Sequence, residues 1–160
     1  MRVLGVDPGV ALTGFGVVEV EGDNLVLLEA GCIATEKRFS PSERLRSLFE
    51  SLGVVFDQHR PQEVAVEELF FNRNAKTAFS VGAARGVILL CAALHEVPVY
   101  EYTPLEVKQA LVGYGRATKN QVNYMVRQIL RCVEIPGPDD VADALAVAVC
   151  HAFHLKARYV

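Results

Sequence analysis

Residues 1–9, Met-Arg-Val-Leu-Gly-Val-Asp-Pro-Gly, set an unbroken apolar run directly before an acid and a strand-breaking Pro-Gly pair. Val3–Val6 carries no polar side chain on either parity, so both faces of this strand need covering. That demands a sheet with a layer above and a layer below it. Pro8 and Gly9 end the ladder at once, which leaves Asp7 at the rim of the sheet, open to solvent. Far downstream, Asp140 and Asp143 stand three apart at the head of a second apolar segment, and on a helix such neighbours share a face. Carboxylates distant in sequence, each at the end of a regular element, are the raw material of a divalent-metal site.

The rest of the chain supplies the layers. Strands are predicted at residues 2–7, 14–20 and 25–34, with Glu21-Gly22-Asp23-Asn24 turning between the last two, so the first three strands are antiparallel neighbours. Ser40-Pro41-Ser42-Glu43 is a helix start, with Ser as N-cap, Pro at the first position and Glu closing a capping box. Leu45, Leu48, Leu52, Val55 and Phe56 continue it at helical spacing until Pro61. A short strand follows at 63–67, a long helix at 74–96 and a fifth strand at 97–102. The small residues Gly82-Ala83-Ala84 imply a close partner for the long helix. Thr103-Pro104-Leu105-Glu106 and Thr118-Lys119-Asn120-Gln121 repeat the capping signature. The last helix spans 139–155. The sum is an α/β protein: a five-stranded mixed sheet, three antiparallel strands and then parallel ones, with helices on both faces, in one domain over residues 1–160.

Composition narrows the function. With 51% hydrophobic and 22% charged residues in 160, the chain is globular and has a sizeable core. Its apolar runs break before the roughly 20 residues that span a bilayer, and the N-terminus is too short for a secretory signal, so a cytoplasmic protein is expected. Four cysteines without a C-x-x-C pair read as reduced thiols. A net charge of −3 excludes a generally basic nucleic-acid coat, but the positive charge is clustered. Arg73, Lys76 and Arg85 fall in one segment; Lys108, Arg116, Lys119, Arg127 and Arg131 fall in another.

Four acids carry the candidate chemistry: Asp7, Glu67 at the end of Val64-Ala65-Val66-Glu67, Asp140 and Asp143. Carboxylates meeting at a sheet edge suit two Mg²⁺ ions about 4 Å apart, an arrangement that activates water and stabilises a leaving oxygen in phosphodiester hydrolysis. Alternation sends Glu67 and Glu68 to opposite faces, so only one can point at the site. Asp139 and Asp140 both suit a helix's first turn by dipole and capping alone. Asp143, a turn further in on so apolar a helix, needs a partner or a metal. Phe70 and Phe71, followed by Asn72-Arg73-Asn74, form an aromatic and basic cluster of the kind that stacks on unpaired bases.

In order along the chain, Val6-Asp7-Pro8-Gly9, Thr13-Gly14-Phe15-Gly16, Ala65-Val66-Glu67-Glu68-Leu69-Phe70, Ala84-Arg85-Gly86, Val107-Lys108-Gln109 and Asp140-Val141-Ala142-Asp143-Ala144-Leu145 closely resemble the RuvC family of bacterial Holliday-junction resolvases. The resemblance implies an RNase H-like fold. It selects Glu67 over Glu68 and Asp140 over Asp139, so that Asp7, Glu67, Asp140 and Asp143 are the catalytic, metal-binding acids. It also implies that Lys108 and Lys119 contact phosphates, that Phe70 is the aromatic after the second acid, and that Mg²⁺ is the cofactor, with Mn²⁺ a substitute. Four-way DNA junctions, a second copy of the chain, and the branch-migration proteins RuvA and RuvB are the implied partners. DNA contacts are expected at Lys108, Lys119, Phe70, Arg73, Lys76 and Arg85. Two other functions compete: half of an actin-like kinase, for which 160 residues leave no second nucleotide-binding domain, and a non-catalytic junction-binding protein of the same fold.

Overall fold

The computed structural model describes residues 1–68 and 75–158. Strands β1 (Arg2–Asp7), β2 (Leu12–Glu21) and β3 (Asn24–Ala34) are followed by helix α1 (Pro41–His59), strand β4 (Glu63–Glu67), helix α2 (Ala75–Leu94) and strand β5 (Val99–Tyr102). Helices α3 (Pro104–Val112), α4 (Lys119–Leu130) and α5 (Asp139–Arg158) complete the chain. The strands order β3-β2-β1-β4-β5; β1, β2 and β3 pair antiparallel, while β1 with β4 and β4 with β5 pair parallel. This is the mixed five-stranded sheet that the alternation of elements implied.

β1 lies at the centre, and its two parities divide the core. Leu4 and Val6 join Val64, Val66, Leu48, Leu52, Phe56 and Ile88 in a cluster under α1 and α2. Val3 joins Ala65, Val141, Leu145, Val149 and residues of α3 and α4 in a second cluster on the other face. Three capping boxes start the helices where the sequence places them: Ser40 with Glu43, Thr103 with Glu106, and Thr118 with Gln121. β5 begins two residues later than the apolar pattern suggests. Glu96 adopts a positive φ of 57°, and the Val97 amide donates to Ala92 O at 2.9 Å, so the exit turn of α2 takes the first residues of that run.

The close partner expected against Gly82-Ala83-Ala84 is α1, which packs along α2 on the side that carries Ala84. Ala84 is buried in the α1–α2 cluster, whereas a Cβ at Gly82 or Gly86 would meet nothing within 4 Å. The small residues thus divide between two faces of α2, Ala84 on the packed one and Gly82 and Gly86 on the open one.

Close approach is instead reserved for α5. A Cβ at Gly5 of β1 would stand on the carbonyl oxygen of Ala144, one at Gly14 of β2 on that of Asp140, and one at Gly16 on the Leu145 side chain. Three glycines on adjacent strands therefore form a track on which the backbone of α5 rests directly. Valine or alanine there would lift the helix off the sheet.

Gly14→Ala is expected to lower stability by about 1–3 kcal/mol in chemical denaturation, as overpacking does, although strand propensity favours alanine over glycine. Gly53→Ala, in α1 where a Cβ meets nothing within 4 Å, is expected to raise stability by about 0.5–1 kcal/mol. A Gly14→Ala protein as stable as the parent would remove the steric account.

Candidate active site

Parity along β1 sends Val3, Gly5 and Asp7 toward α5, and along β4 it sends Ala65 and Glu67 the same way. The register Val6↔Val66 makes the next residues, Asp7 and Glu67, neighbours at the carboxyl ends of parallel strands. Glu68 takes the opposite parity, is exposed, and spends its amide on Tyr102 O at 2.8 Å. The choice of Glu67 over Glu68 thus rests on which face of the sheet α5 covers: Ala65, whose parity Glu67 shares, packs on the α5 side, and Val66, whose parity Glu68 shares, on the other.

α5 carries the other two acids over this rim. Asp140 and Asp143 are each partly buried, and both act electrostatically on Asp7. Burial first, and then the charges of Asp143, Glu67 and Asp140, push the Asp7 carboxyl from 3.8 to about 7. Glu67 is raised for the same reasons, burial before Asp143. Asp139 is exposed, and its carboxylate lies 3.3 Å from Lys119 Nζ.

Two lysines face the acids. Lys119 donates to Asp143 Oδ2 at 2.9 Å, and Lys119 and Lys108 both hold down the pKa of Glu67. Burial works against the Lys119 charge, but hydrogen bonds and attraction from Asp143 and Asp139 outweigh it and raise its pKa. A cavity of about 250 Å³ opens between them, lined by Glu67, Lys108, Lys119 and Asp143 over an apolar floor that includes Val107, Val122 and Val147.

Among the described residues, no three His, Cys, Asp or Glu side chains close around one point at coordinating distance. The donor chemistry nevertheless suits a hard divalent cation: every candidate ligand is a carboxylate oxygen, and Asp7, raised first by burial and then by three neighbouring acids, stands among like charges that a cation would offset.

Other sequence-predicted residues lie elsewhere. Arg85 is already engaged, its guanidinium donating to Glu101 of β5. Phe70 and Arg73 lie outside the described residues, as does the side chain of Lys76 in the first turn of α2. All four cysteines are free, and burial pushes the thiols of Cys91 and Cys150 up to about 11 and about 12, which makes them poor nucleophiles. Sequence reasoning missed the pairing of Asp139 with Lys119. The available signal was a lysine at the first position of a helix, where the macrodipole disfavours it unless an acid stands opposite.

A mixed sheet with acids at the carboxyl ends of its first and fourth strands, covered by a helix that bears two more, defines an α/β protein of the RNase H-like fold. The family model for "Crossover junction endodeoxyribonuclease RuvC" matches residues 3–151. A curated protein of that description from Pelotomaculum thermopropionicum is 56% identical over 154 residues, covering 96% of this chain and 94% of that relative. The Thermus thermophilus RuvC structure superposes with a TM-score of 0.92 at 43% identity, covering 99% of this chain and 97% of that one. T. thermophilus RuvC in complex with Holliday junction substrate gives 0.93 at 42% identity, covering 99% and 96%. The chain belongs to the RuvC family.

The sign of the Asp7 shift makes a test. A folded-state pKa raised to about 7 favours the protonated carboxyl, so its contribution to stability is fully present below 3.8 and is lost as pH rises toward 7. Asp7→Asn, which mimics the protonated acid, is expected to melt several degrees above the parent at pH 8 in chelator and level with it at pH 4. Equal melting at both values would show that neither burial nor the neighbouring acids disfavour the ionised Asp7.

Proposed function

We propose that this chain is a metal-dependent crossover junction endodeoxyribonuclease that hydrolyses phosphodiesters in four-way DNA junctions during recombination and repair. The observation that carries the reading is the convergence of Asp7, Glu67, Asp140 and Asp143 at one sheet rim, with Asp7 pushed up to about 7 by burial and by its neighbours. A module that only bound junctions would gain nothing from that repulsion. Family membership and the likeness to a RuvC complex with junction substrate point the same way.

Asp7, Glu67, Asp140 and Asp143 are the residues that would hold Mg²⁺, two ions per site, with Mn²⁺ as a substitute. Divalent cations there supply the Lewis acidity that lets water attack at neutral pH and that neutralises the departing oxygen. The protein's part is placement. β1 and β4 fix Asp7 and Glu67 side by side, and α5 presents Asp140 and Asp143 from above. Lys108 and Lys119, on the opposite wall of the cavity, are set to meet the phosphate of the strand being cut, and its apolar floor excludes water from the far side. Phe70, Arg73 and Lys76 are proposed to extend the DNA contact. Arg85 can join them only by leaving Glu101.

The substrate has two-fold symmetry and this chain one set of acids, so a homodimer is the economical assembly. An exposed apolar stripe on α2 suits the second copy: Phe79 is 82%, Leu90 54% and Leu94 64% exposed, with Ala83 and Gly86 between them at helical spacing. Residues 77–94 of that helix are long and apolar enough to cross a membrane, and no other described helix is. The opposite face of the same helix packs Ala84, Ile88, Cys91 and Ala92 against α1 and the sheet, so a partner protein surface fits it better than lipid. RuvA and RuvB are proposed as functional partners, and the cytoplasm as the compartment.

Incubation of a synthetic four-way junction with Mg²⁺ is expected to give paired, symmetric nicks. Asp7→Asn and Asp143→Asn should abolish cutting while preserving junction binding, and Asp139→Asn should stay substantially active. Loss of binding in parallel with cutting would assign Asp7 to folding or DNA contact. Lys108→Ala should slow cleavage and reduce the salt slope of binding by about one unit; an unchanged slope with normal rates would return that lysine to the solvated surface. Sedimentation should show a dimer that Leu90→Glu dissociates, and mixing parent with Asp7→Asn chains should leave junctions nicked once.

A further inference from the structure

Lys119 occupies a position that its own helix disfavours. It is the first residue of α4, where a positive charge opposes the helix dipole, and no acid in that turn offsets it. The capping box of Thr118 and Gln121 fixes the backbone there. What holds the side chain lies across the cleft on α5: Asp143 Oδ2 at 2.9 Å and Asp139 Oδ2 at 3.3 Å. These acids are four residues apart, one helical turn, so a single ammonium spans them. The bridge has one foot in the carboxylate cluster and one in solvent, with side-chain exposure of 33% at Asp143, 49% at Lys119 and 75% at Asp139. Lys108 lines the same cavity, but among the described residues it makes no ion pair.

We propose that Lys119 is a tethered counter-ion that competes with the divalent cation for Asp143, and that Asp139 is the holding point onto which it moves when the cation binds. The inference rests on the metal reading given above. A carboxylate oxygen accepting from an ammonium at 2.9 Å is a poor ligand for a cation, because the two positive charges would stand within a few ångströms of each other in a partly dry cleft. Entry of the cation therefore displaces Lys119 from Asp143. The lysine is then free for the incoming phosphate, while Asp139 keeps it close. Two consequences follow for function. The acids are not left bare in the free protein, and cation binding and DNA binding strengthen each other, since each draws Lys119 off Asp143. Asp139 becomes a positioning residue, acting through Lys119.

The test is calorimetric titration of the full chain with Mn²⁺ in the absence of DNA. Lys119→Met and Lys119→Gln should each bind Mn²⁺ about fivefold tighter than the parent, the scale of one partly exposed ion pair. Lys108→Met controls for charge alone and should tighten binding much less. Asp139→Asn should weaken binding in the parent, where Lys119 is left with Asp143 only, and should have no effect in the Lys119→Met background. Equal tightening by Lys119→Met and Lys108→Met would reduce the effect to through-space charge and overturn the competition. Unchanged or weaker binding in both Lys119 variants would do the same. A parent chain that takes up no Mn²⁺, or an Asp7→Asn chain that binds it as well as the parent, would overturn the metal reading itself and this inference with it.

Discussion

The backbone of α5 resting on glycines is the contact on which the rest of the molecule depends. Gly5 and Gly14 leave no side chain between β1, β2 and the helix, so the Ala144 and Asp140 carbonyls come down onto the sheet itself, and Gly16 makes room for Leu145. That closeness has a structural effect and a chemical one. It buries Val141, Leu145, Ala148 and Val149 completely, which anchors the second core. It also brings the first turn of α5 to the end of β1, where two acids of the helix can act on Asp7.

Such crowding is unfavourable in itself, and the fold contains its own partial remedy. The burial and like charge that raise Asp7 and Glu67 are opposed by Lys119, and at Glu67 by Lys108 as well. The lysines sit on α3 and α4, elements that pack on α5 and do not belong to the strands bearing the acids. Their capping boxes fix where each helix begins, and so where each ammonium can reach. The site is therefore assembled from five elements, each held by apolar packing a few residues away from the charged group it presents. Stability resides in the core and reactivity at its rim.

The two faces of the sheet are treated differently. On the α5 side every helix is used to build the site. On the other side α1 and α2 cover the core, and α2 also exposes a second apolar line to solvent. One helix thus serves the interior along Ala84, Ile88 and Cys91 and offers Phe79, Leu90 and Leu94 outward.

How much of this was legible beforehand follows from the range of the forces involved. Local signals were read well. The apolar run Val3–Val6, the three capping boxes and the Gly22 turn fix elements through interactions spanning a few residues, and the structure forms those elements within a residue or two of where the pattern places them. The acids at element ends were also visible, because Pro8 and a helix start are written in the chain beside them. Periodicity could not choose between Glu67 and Glu68, since β4 is buried on both faces and neither parity looks more interior than the other. Nor could it see that the glycines of β1 and β2 serve a helix more than a hundred residues away, that Arg85 is matched by Glu101, or that Lys119 bridges Asp139 and Asp143. Those pairings join residues far apart in sequence, and a residue's type carries no record of which distant partner the packing will set against it. The sequence by itself determined the elements, the alternation of layers and the inventory of charges. Only the tertiary structure decided which charges meet, because distance in space, not order along the chain, sets the strength of an electrostatic contact.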